Sequence, residues 1–480
     1  MTASTQKPPV GKRGFQKHSH PDQPQSYAEL VEQDSRPVPA SIREFVTADV
    51  GDVGPFEVPT RWYTDRAVHD LEVEKIWKRT WQMACRVDHV REVGDTYIYE
   101  VAGLSFVIVR VTDELIKGYW NACLHRGVPI RSCAGRVERL QCPFHGFTWN
   151  LNGDSVLIPF PEEFPHIKPE EFALPEVQVA TWQGFVFINP DLEAESFESY
   201  LGDLDRQFHR WPYTNREVTA HVAKIFPVNW KAVQEAFMES FHVLTTHPQL
   251  ALSSGADRCT AFGVSGHYSL GVVPIGQTND YVATTPEQQL IWRRLNQVWD
   301  DAETAEDLKL PPGTTARTAL ANNNREMLRP VFRRLIDEAS DTEMVDVFYW
   351  SLFPNFHPFG VFAGPMMYLY RPYGDNHDKC IMDIIFLSEV AEEAEPKSPP
   401  EIIMVGEDED FTSVEMLGSF GVFVSQDTGN LNELSKGLRN SKRGTVNFAR
   451  NYESKIRHFY AEYEQATGLS SAKEIAAMER

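Results

Sequence analysis

Residues 229–248 read NWKAVQEAFMESFHVLTTHP, and this stretch sets the terms for the rest of the chain. From Ala232 to Phe241 helix breakers are few, and Val233, Ala236, Phe237 and Phe241 recur with a helical period. The spacing predicts a helix that puts Glu239 and His242 on one face as i,i+3 neighbours. His247 lies five residues beyond His242, about 140° further round an ideal helix. Both imidazoles can reach one metal only if the helix loosens between them. Thr245, Thr246 and Pro248 make that break, because the residue before a proline is biased out of the helical region. Two histidines and one distant carboxylate can bind iron(II) on one face and leave its other positions open. Without support from elsewhere, the same residues read as ordinary surface or core histidines.

The composition limits what the chain can be. It has 480 residues, 46 Lys and Arg against 68 Asp and Glu, and a net charge of -22. Such acidity argues against a nucleic-acid partner. No apolar run reaches the roughly 18 residues of a membrane span. The opening MTASTQKPPVGKRGFQKHSH has no apolar core of the kind a signal peptide needs, so a cytoplasmic protein is expected. The six cysteines (85, 123, 133, 142, 259 and 380) are too scattered for a disulfide scaffold.

Residues 1–55, rich in Pro, Gln, Ser, Asp and Gly, read as a mostly irregular arm. Arg61–Cys85 reads as an amphipathic helix running into a strand. Asp95–Val111 gives two strands about a turn at Ala102-Gly103, and β signals recur at 118–121, 147–152 and 182–188. A small all-β domain is expected to close near Asn189-Pro190. Residues 201–221 read as a helical connector. Residues 252–346 read as a long insertion with helices at 286–300 and 324–340, either a surface excursion or a border of the substrate entrance. Strands are expected at 345–362, 366–371 and 380–390, with aromatic and Met side chains that pack the core or line an apolar pocket. The residues from Ser470 read as a charged, helix-prone tail.

Within the β-rich part, NACLHRGVPIRSCAGRVERLQCPFHGFTW (121–149) holds two boxes, Cys123-Leu124-His125 and Cys142-Pro143-Phe144-His145, sixteen residues apart. Each box offers one thiolate and one imidazole. Sulfur on one iron and imidazole on the other is the ligand set of a Rieske 2Fe–2S centre. A two-Cys, two-His zinc site competes, but zinc fingers pair cysteines with cysteines, whereas each box here mixes the two. Phe147 follows Gly146 where a hydroxyl donor would raise the potential, so a low-potential centre is expected.

The C-x-H-R-G and C-x2-H-G boxes, together with Asn229, Trp230, Lys231, Glu235, Phe237, Glu239, His242 and His247, resemble the large (α) subunits of Rieske non-haem iron aromatic-ring-hydroxylating oxygenases. The resemblance covers roughly residues 58–465. It implies an α+β fold in which a β-rich Rieske 2Fe–2S domain (80–195) is inserted into a helix-grip catalytic domain (56–79 and 196–480). It also implies one 2Fe–2S cluster per subunit on Cys123, His125, Cys142 and His145, and one mononuclear Fe(II) on His242, His247 and Asp427. Asp427 is assigned from its setting in GVFVSQDTGNLNELSKG (421–437), where the family carries its ligand carboxylate in a Q-D-x-x-N context. Glu433 is the other candidate, and Asp427 can also be read as the N-cap of a helix running on to Tyr463. Glu239, where most relatives have Asp, is given the catalytic task of bridging cluster and iron between subunits.

The activity implied is O2-dependent dihydroxylation or monohydroxylation of an aromatic or other apolar ring. The partners implied are a separate NAD(P)H reductase, with or without a ferredoxin, and a homotrimer, with or without a small β subunit. The chain itself has no G-x-G-x-x-G fingerprint and no C-x4-C-x2-C run. Two alternatives stay open: a monooxygenase or demethylase acting on a steroid-like or quaternary-amine substrate, and a Rieske electron carrier with a ligand-binding domain that does no chemistry.

Overall fold

The computed structural model describes residues 10–478 apart from 12, 13, 48, 300–307, 333, 363 and 391–397. Its two large sheets are built from alternating sequences. In the first, seven strands lie side by side in the order Gln82–Arg86, Phe185–Asn189, Glu176–Trp182, Ile116–Trp120, Leu104–Arg110, Asp95–Val101 and Gly135–Arg136, all antiparallel. A three-stranded sheet of Leu140–Gln141, Thr148–Trp149 and Ser155–Leu157 carries the second Cys/His box. The β signal at 182–188 falls on the turn and second strand of the hairpin Glu176–Trp182/Phe185–Asn189. Gln183 and Gly184 turn it with φ of +51° and +77°, a pair of left-handed residues that suits a tight hairpin.

The second sheet has eight strands, in the order Ala261–Ser265, Tyr268–Val273, Val347–Leu352, Phe356–Gly360, Met366–Pro372, Cys380–Glu389, Arg216–Phe226 and Ile403–Val405. Only the last pair is parallel. Period-two alternation gives this sheet two different faces. Phe348, Trp350, Phe356, Met367 and Leu369 pack with Trp182, Phe185 and Trp211 toward the first sheet. Tyr368, Tyr370, Met382 and Ile384 face the opposite way, into a core shared with Trp230, Val233, Phe459 and Tyr460.

Four helices position the chemistry on that second face: α1 (Trp230–Glu235), α2 (Val243–Thr246), α3 (Gly418–Thr428) and α4 (Ser454–Thr467). The strand Glu57–Pro59 pairs with Thr445–Asn447, so the chain on either side of the small β-rich unit belongs to one body. The architecture is α+β, with the Rieske-type unit set into the larger one.

Several expectations are corrected. The arm is not wholly irregular: Tyr27–Glu32 and Ala40–Phe45 are helices that bury Tyr27, Leu30, Val31 and Ile42. It is fastened to its own chain by Gln23 to Thr278 (3.1 Å) and Ser35 to Asp341 (2.7 Å). Residues 201–221 are not all helical, because a strand begins at Arg216, alternating in burial only to Ala220 and then buried on both faces to Lys224. The insertion at 252–346 is no surface excursion, since it supplies two neighbouring strands of the eight-stranded sheet. Its described α-helices lie at Gln288–Leu295, Ala316–Phe332, Arg334–Glu338 and Asp341–Val345. The single helix expected from Asp427 to Tyr463 is interrupted: Leu431–Asn440 is helical, then a strand intervenes before α4. The tail is the helix Ser471–Met478, and its Glu474 accepts from Arg61 Nε at 2.6 Å.

One ion pair fixes α1 against this frame. Lys231 and Glu72 are both fully buried, and the Glu72 carboxylate accepts from Lys231 Nζ, Trp230 Nε1 (2.9 Å) and Tyr463 OH (2.7 Å). Burial alone lowers the Lys231 pKa, and Glu72 opposes that. Removing one partner of such a pair leaves an uncompensated charge in low dielectric. Glu72→Ala is therefore expected to cost about 3–5 kcal/mol in denaturant unfolding, and much of that loss should be recovered in Glu72→Leu/Lys231→Met.

Candidate metal centres

The two Cys/His boxes are the same turn built twice. In the first, Cys123 N–H donates to Val128 O (2.9 Å) and Gly127 N–H donates to Cys123 O (2.8 Å). In the second, Cys142 N–H donates to Phe147 O (2.8 Å) and Gly146 N–H donates to Cys142 O (3.1 Å). Gly127 and Gly146 close the turns with φ of +78° and +82°, a conformation that favours glycine. The thiols of Cys123 and Cys142 face each other, and the rings of His125 and His145 lie 4.7 Å apart.

Burial pushes the Cys123 thiol up, while the backbone N–H groups of His125 and Arg126, aimed at the sulfur, act the other way. His125 Nδ1 is buried with no hydrogen-bond partner, as expected of a ligand atom. Two thiols, two imidazoles and N–H groups directed at sulfur fit a Rieske cluster. Phe147 is buried and stacks on His125 at 4.8 Å, so apolar surface lies where a hydroxyl was looked for. All six cysteines are free, and Cys133 is exposed.

The second group forms where α1 ends early. Asn229 caps it, its side chain accepting from Lys231 N–H at 3.1 Å, and the helix stops at Glu235 rather than running to Phe241. The helix thus breaks twice, after Glu235 and again before Pro248, where His247 leaves the helical region with φ of -123° as expected of the residue before a proline. His242 and His247 flank the single turn α2. Glu239 still reaches His242, but by folding back instead of along a helix face. One of its oxygens accepts from the N–H groups of Phe241 and His242 (3.1 Å for His242), and the other lies 2.6 Å from His242 Nδ1.

Asp427 comes from the last turn of α3 and is not an N-cap. Its Oδ1 is 3.0 Å from His242 Nε2 and 2.5 Å from His247 Nε2. Among the described residues, His242, His247 and Asp427 are the one group of three whose ligand atoms all lie within 4.8 Å of one another. Glu433 is exposed and paired with Lys436 at 2.6 Å, away from this group.

The outer nitrogens of both imidazoles are held. His247 Nδ1 lies 2.7 Å from Gln426 Oε1, which Gln249 Nε2 also approaches at 2.8 Å. Holding Nδ1 in this way turns Nε2 toward the centre of the group, which is how metal-binding histidines are oriented. Gln426 was missed in the sequence, although the Q of its Q-D context was the available signal. Burial alone would lower the His242 pKa, yet its hydrogen bonds to Asp427 and Glu239 carry it up to about 10. Burial would raise Asp427, and the two imidazoles hold it below its ordinary value instead. The site is thus an ionised carboxylate facing two fixed imidazoles. Phe423 packs against His247 at 5.8 Å, and Tyr368, which lies in the field of Asp427, meets Phe237 at 5.1 Å and Phe359 at 5.2 Å. Within the chain no hydrogen bond among the described residues joins Glu239 to His145.

Comparison with known proteins places this geometry. The family described as ring hydroxylating alpha subunit (catalytic domain) matches residues 204–468, and the Rieske [2Fe-2S] domain matches residues 80–178. The biphenyl dioxygenase subunit alpha of Paraburkholderia xenovorans (strain LB400) is 32% identical over 222 residues, 43% of this chain and 47% of that protein. The carnitine monooxygenase oxygenase subunit of Escherichia coli (strain K12) is 28% identical over 204 residues, 42% of this chain and 54% of that one. The chain thus spans about half the length of the curated relatives it matches. Among solved structures, a quaternary ammonium Rieske monooxygenase in complex with L-carnitine shares the fold with a TM-score of 0.61 at 17% identity, covering 87% of this chain and 97% of that one. A naphthalene 1,2-dioxygenase from Rhodococcus sp. bound to indole gives 0.57 at 19% identity, covering 86% and 94%. With the catalytic-domain family spanning more than half of its residues and the Rieske domain ahead of it, the chain belongs to the ring-hydroxylating oxygenase α-subunit family, whose two domains imply a 2Fe–2S cluster and a mononuclear iron.

Proposed function

We propose that this chain is an oxygenase component that activates O2 at iron(II) and inserts oxygen into an apolar, aromatic substrate. The observation that carries this reading is the meeting of His242 Nε2 and His247 Nε2 at one oxygen of Asp427. When bound, the cluster supplies electrons one at a time and the mononuclear iron supplies O2 activation. Cys123, His125, Cys142 and His145 hold the first group, and His242, His247 and Asp427 hold the second. Asp427 contributes the negative charge of the site, while Glu239 and Gln426 keep both imidazoles presenting Nε2 inward. Phe237, Phe359 and Tyr368 keep water out and offer flat apolar faces to a ring.

Electrons are proposed to come from a separate NAD(P)H reductase, with or without a ferredoxin, and the assembly to be a ring of three. In that ring Glu239 links His145 of the partner subunit to His242 through charge-assisted hydrogen bonds. The contact of Glu239 with His242 Nδ1 at 2.6 Å supports one half of the link. A second reading, monooxygenation of a quaternary amine, is favoured by the likeness to the carnitine monooxygenase subunit, and the same aromatic faces suit a cationic head.

Three variants test the assignment. His145→Ala should abolish the Rieske EPR signal, and a normal signal would remove His145 from the cluster. Asp427→Ala should lose one iron per chain and at least about 100-fold in product formation while the cluster spectrum survives. Iron and activity retained in that variant would move the ligand elsewhere. Glu239→Gln should keep both metals and the oligomer but slow cluster re-oxidation in single turnover with substrate and O2 by about 100-fold or more, with Glu239→Asp milder. Re-oxidation at the wild-type rate would end the bridging role.

A further inference from the structure

Between α4 and the face of the eight-stranded sheet that carries the chemistry lies a cavity of about 220 Å³, counted with the solvent at its open end. Its outer end is at His267 and Glu462, which keep 25% and 15% of their side chains exposed. Its inner end is at Met238, 1% exposed and one residue ahead of Glu239. Phe353 and Phe459, their rings 5.5 Å apart, form wall between the two ends. The space therefore runs from the surface toward the turn that presents His242.

The polar side chains around it are engaged with one another. His267 Nδ1 lies 2.5 Å from Glu462 Oε2, and its Nε2 lies 3.3 Å from Glu195 Oε1. His357 Nδ1 is 2.9 Å from Ser351 Oγ, and its Nε2 is 3.2 Å from Gln234 Oε1. Burial pushes the His357 imidazole well below its ordinary pKa, so it brings no charge to the cavity. His458 is bonded to the backbone of Gly266. What faces the space is mostly carbon, with the Met238 thioether at its inner end. A buried water needs about two to four polar partners, and cavities without them stay dry and take apolar guests. Beyond His357 the aromatic surface continues toward the iron-binding residues: its ring meets Tyr370 at 5.2 Å, and Tyr370 lies in the field of Asp427.

We propose that this cavity is a holding site through which O2, a small apolar gas, reaches the iron centre, with Met238 as the movable wall between the two. This rests on the oxygenase reading and adds to it the route of the gaseous substrate. O2 has no hydrogen bonds to gain, so a dry pocket concentrates it relative to water. Methionine, unbranched and flexible, is the side chain that yields most readily to a passing diatomic. A separate entrance lets the gas arrive while the organic substrate fills the space over the iron.

Crystals of the metal-loaded enzyme pressurised with xenon, an apolar probe of comparable size, should show xenon between Met238 and Phe459. Xenon absent from that space, or an ordered water in its place, overturns the proposal. Nitric oxide, a diatomic that binds iron(II), measures passage without any organic substrate. Ser269→Leu fills the cavity from the sheet side, and nitric oxide should then reach iron(II) about 5–10-fold more slowly in stopped flow, because entry has to wait for the wall to move. Nitric oxide affinity at equilibrium and the Rieske EPR signal should match the wild type, which separates a blocked route from a damaged site. A wild-type entry rate in folded Ser269→Leu protein rules out the route, and the xenon result on the unaltered enzyme decides the matter where that variant fails to fold. Iron analysis of the same samples keeps the two proposals apart. An iron-loaded enzyme whose cavity takes no xenon loses only the holding site, whereas a chain that takes up no mononuclear iron loses the oxygenase reading.

Discussion

Two imidazole nitrogens within 3.0 Å of a single carboxylate oxygen is the constraint on which the larger unit depends. Such a group is stable in a largely buried setting only if the remaining polar atoms are held, because every unpartnered one carries a desolvation cost. Glu239, Gln426 and Gln249 meet that requirement on the outer side. The segment that carries the histidines is then fixed from behind. Glu235, the last residue of α1, accepts from Tyr63 OH at 2.9 Å and from Tyr460 OH at 2.5 Å. Burial pushes the Glu235 carboxyl up to about 7, although both tyrosines oppose it. Residues far apart in sequence are recruited to keep one helix end in place.

Much of this was legible in the sequence, because the chemistry is local. The Cys/His boxes are short loops with glycines at fixed positions, and loops of that kind leave a regular signature. His242 and His247 lie close together and announce themselves for the same reason. Asp427 sits 180 residues from His247 and could be assigned only through the family's sequence context. Its structural setting was misread, since nothing in QDTGN distinguishes the last turn of one helix from the cap of the next. Gln426 went unnoticed because a glutamine beside an aspartate carries no spacing of its own.

The errors of fold have a common cause. Arg216–Phe226 pairs with a strand more than 150 residues away, and the hairpin Ala261–Ser265/Tyr268–Val273 joins the sheet through Val347–Leu352, more than 70 residues on. Strand pairing at that separation is decided by burial, not by local propensity, so a stretch such as REVTAHVAKIF reads ambiguously alone. The break after Glu235 is similar. Ala236–Phe241 has good helix formers, but Glu239 offers its carboxylate to the N–H groups of residues 241 and 242, and that competes with the helical pattern.

The buried cations show how far this logic extends. Arg317 is fully buried and anchored to Asp346, with Asp34 nearby at 3.6 Å. Arg325 is held by Asp341, and Lys231 by Glu72. In each case an acid meets the charge, and Asp34 and Glu72 come from more than 150 residues away to do so. Lys455 and Arg216 depart from that pattern while being no less buried, and the nitrogens of the Arg216 guanidinium have no hydrogen-bond partner. The aromatic neighbour of Lys455 gives some compensation through the ring face, and the Tyr349 carbonyl gives one hydrogen bond. Neither supplies a negative charge. At Lys455 burial is met by loss of charge rather than by a partner acid, since nothing around it opposes the lowering of its pKa.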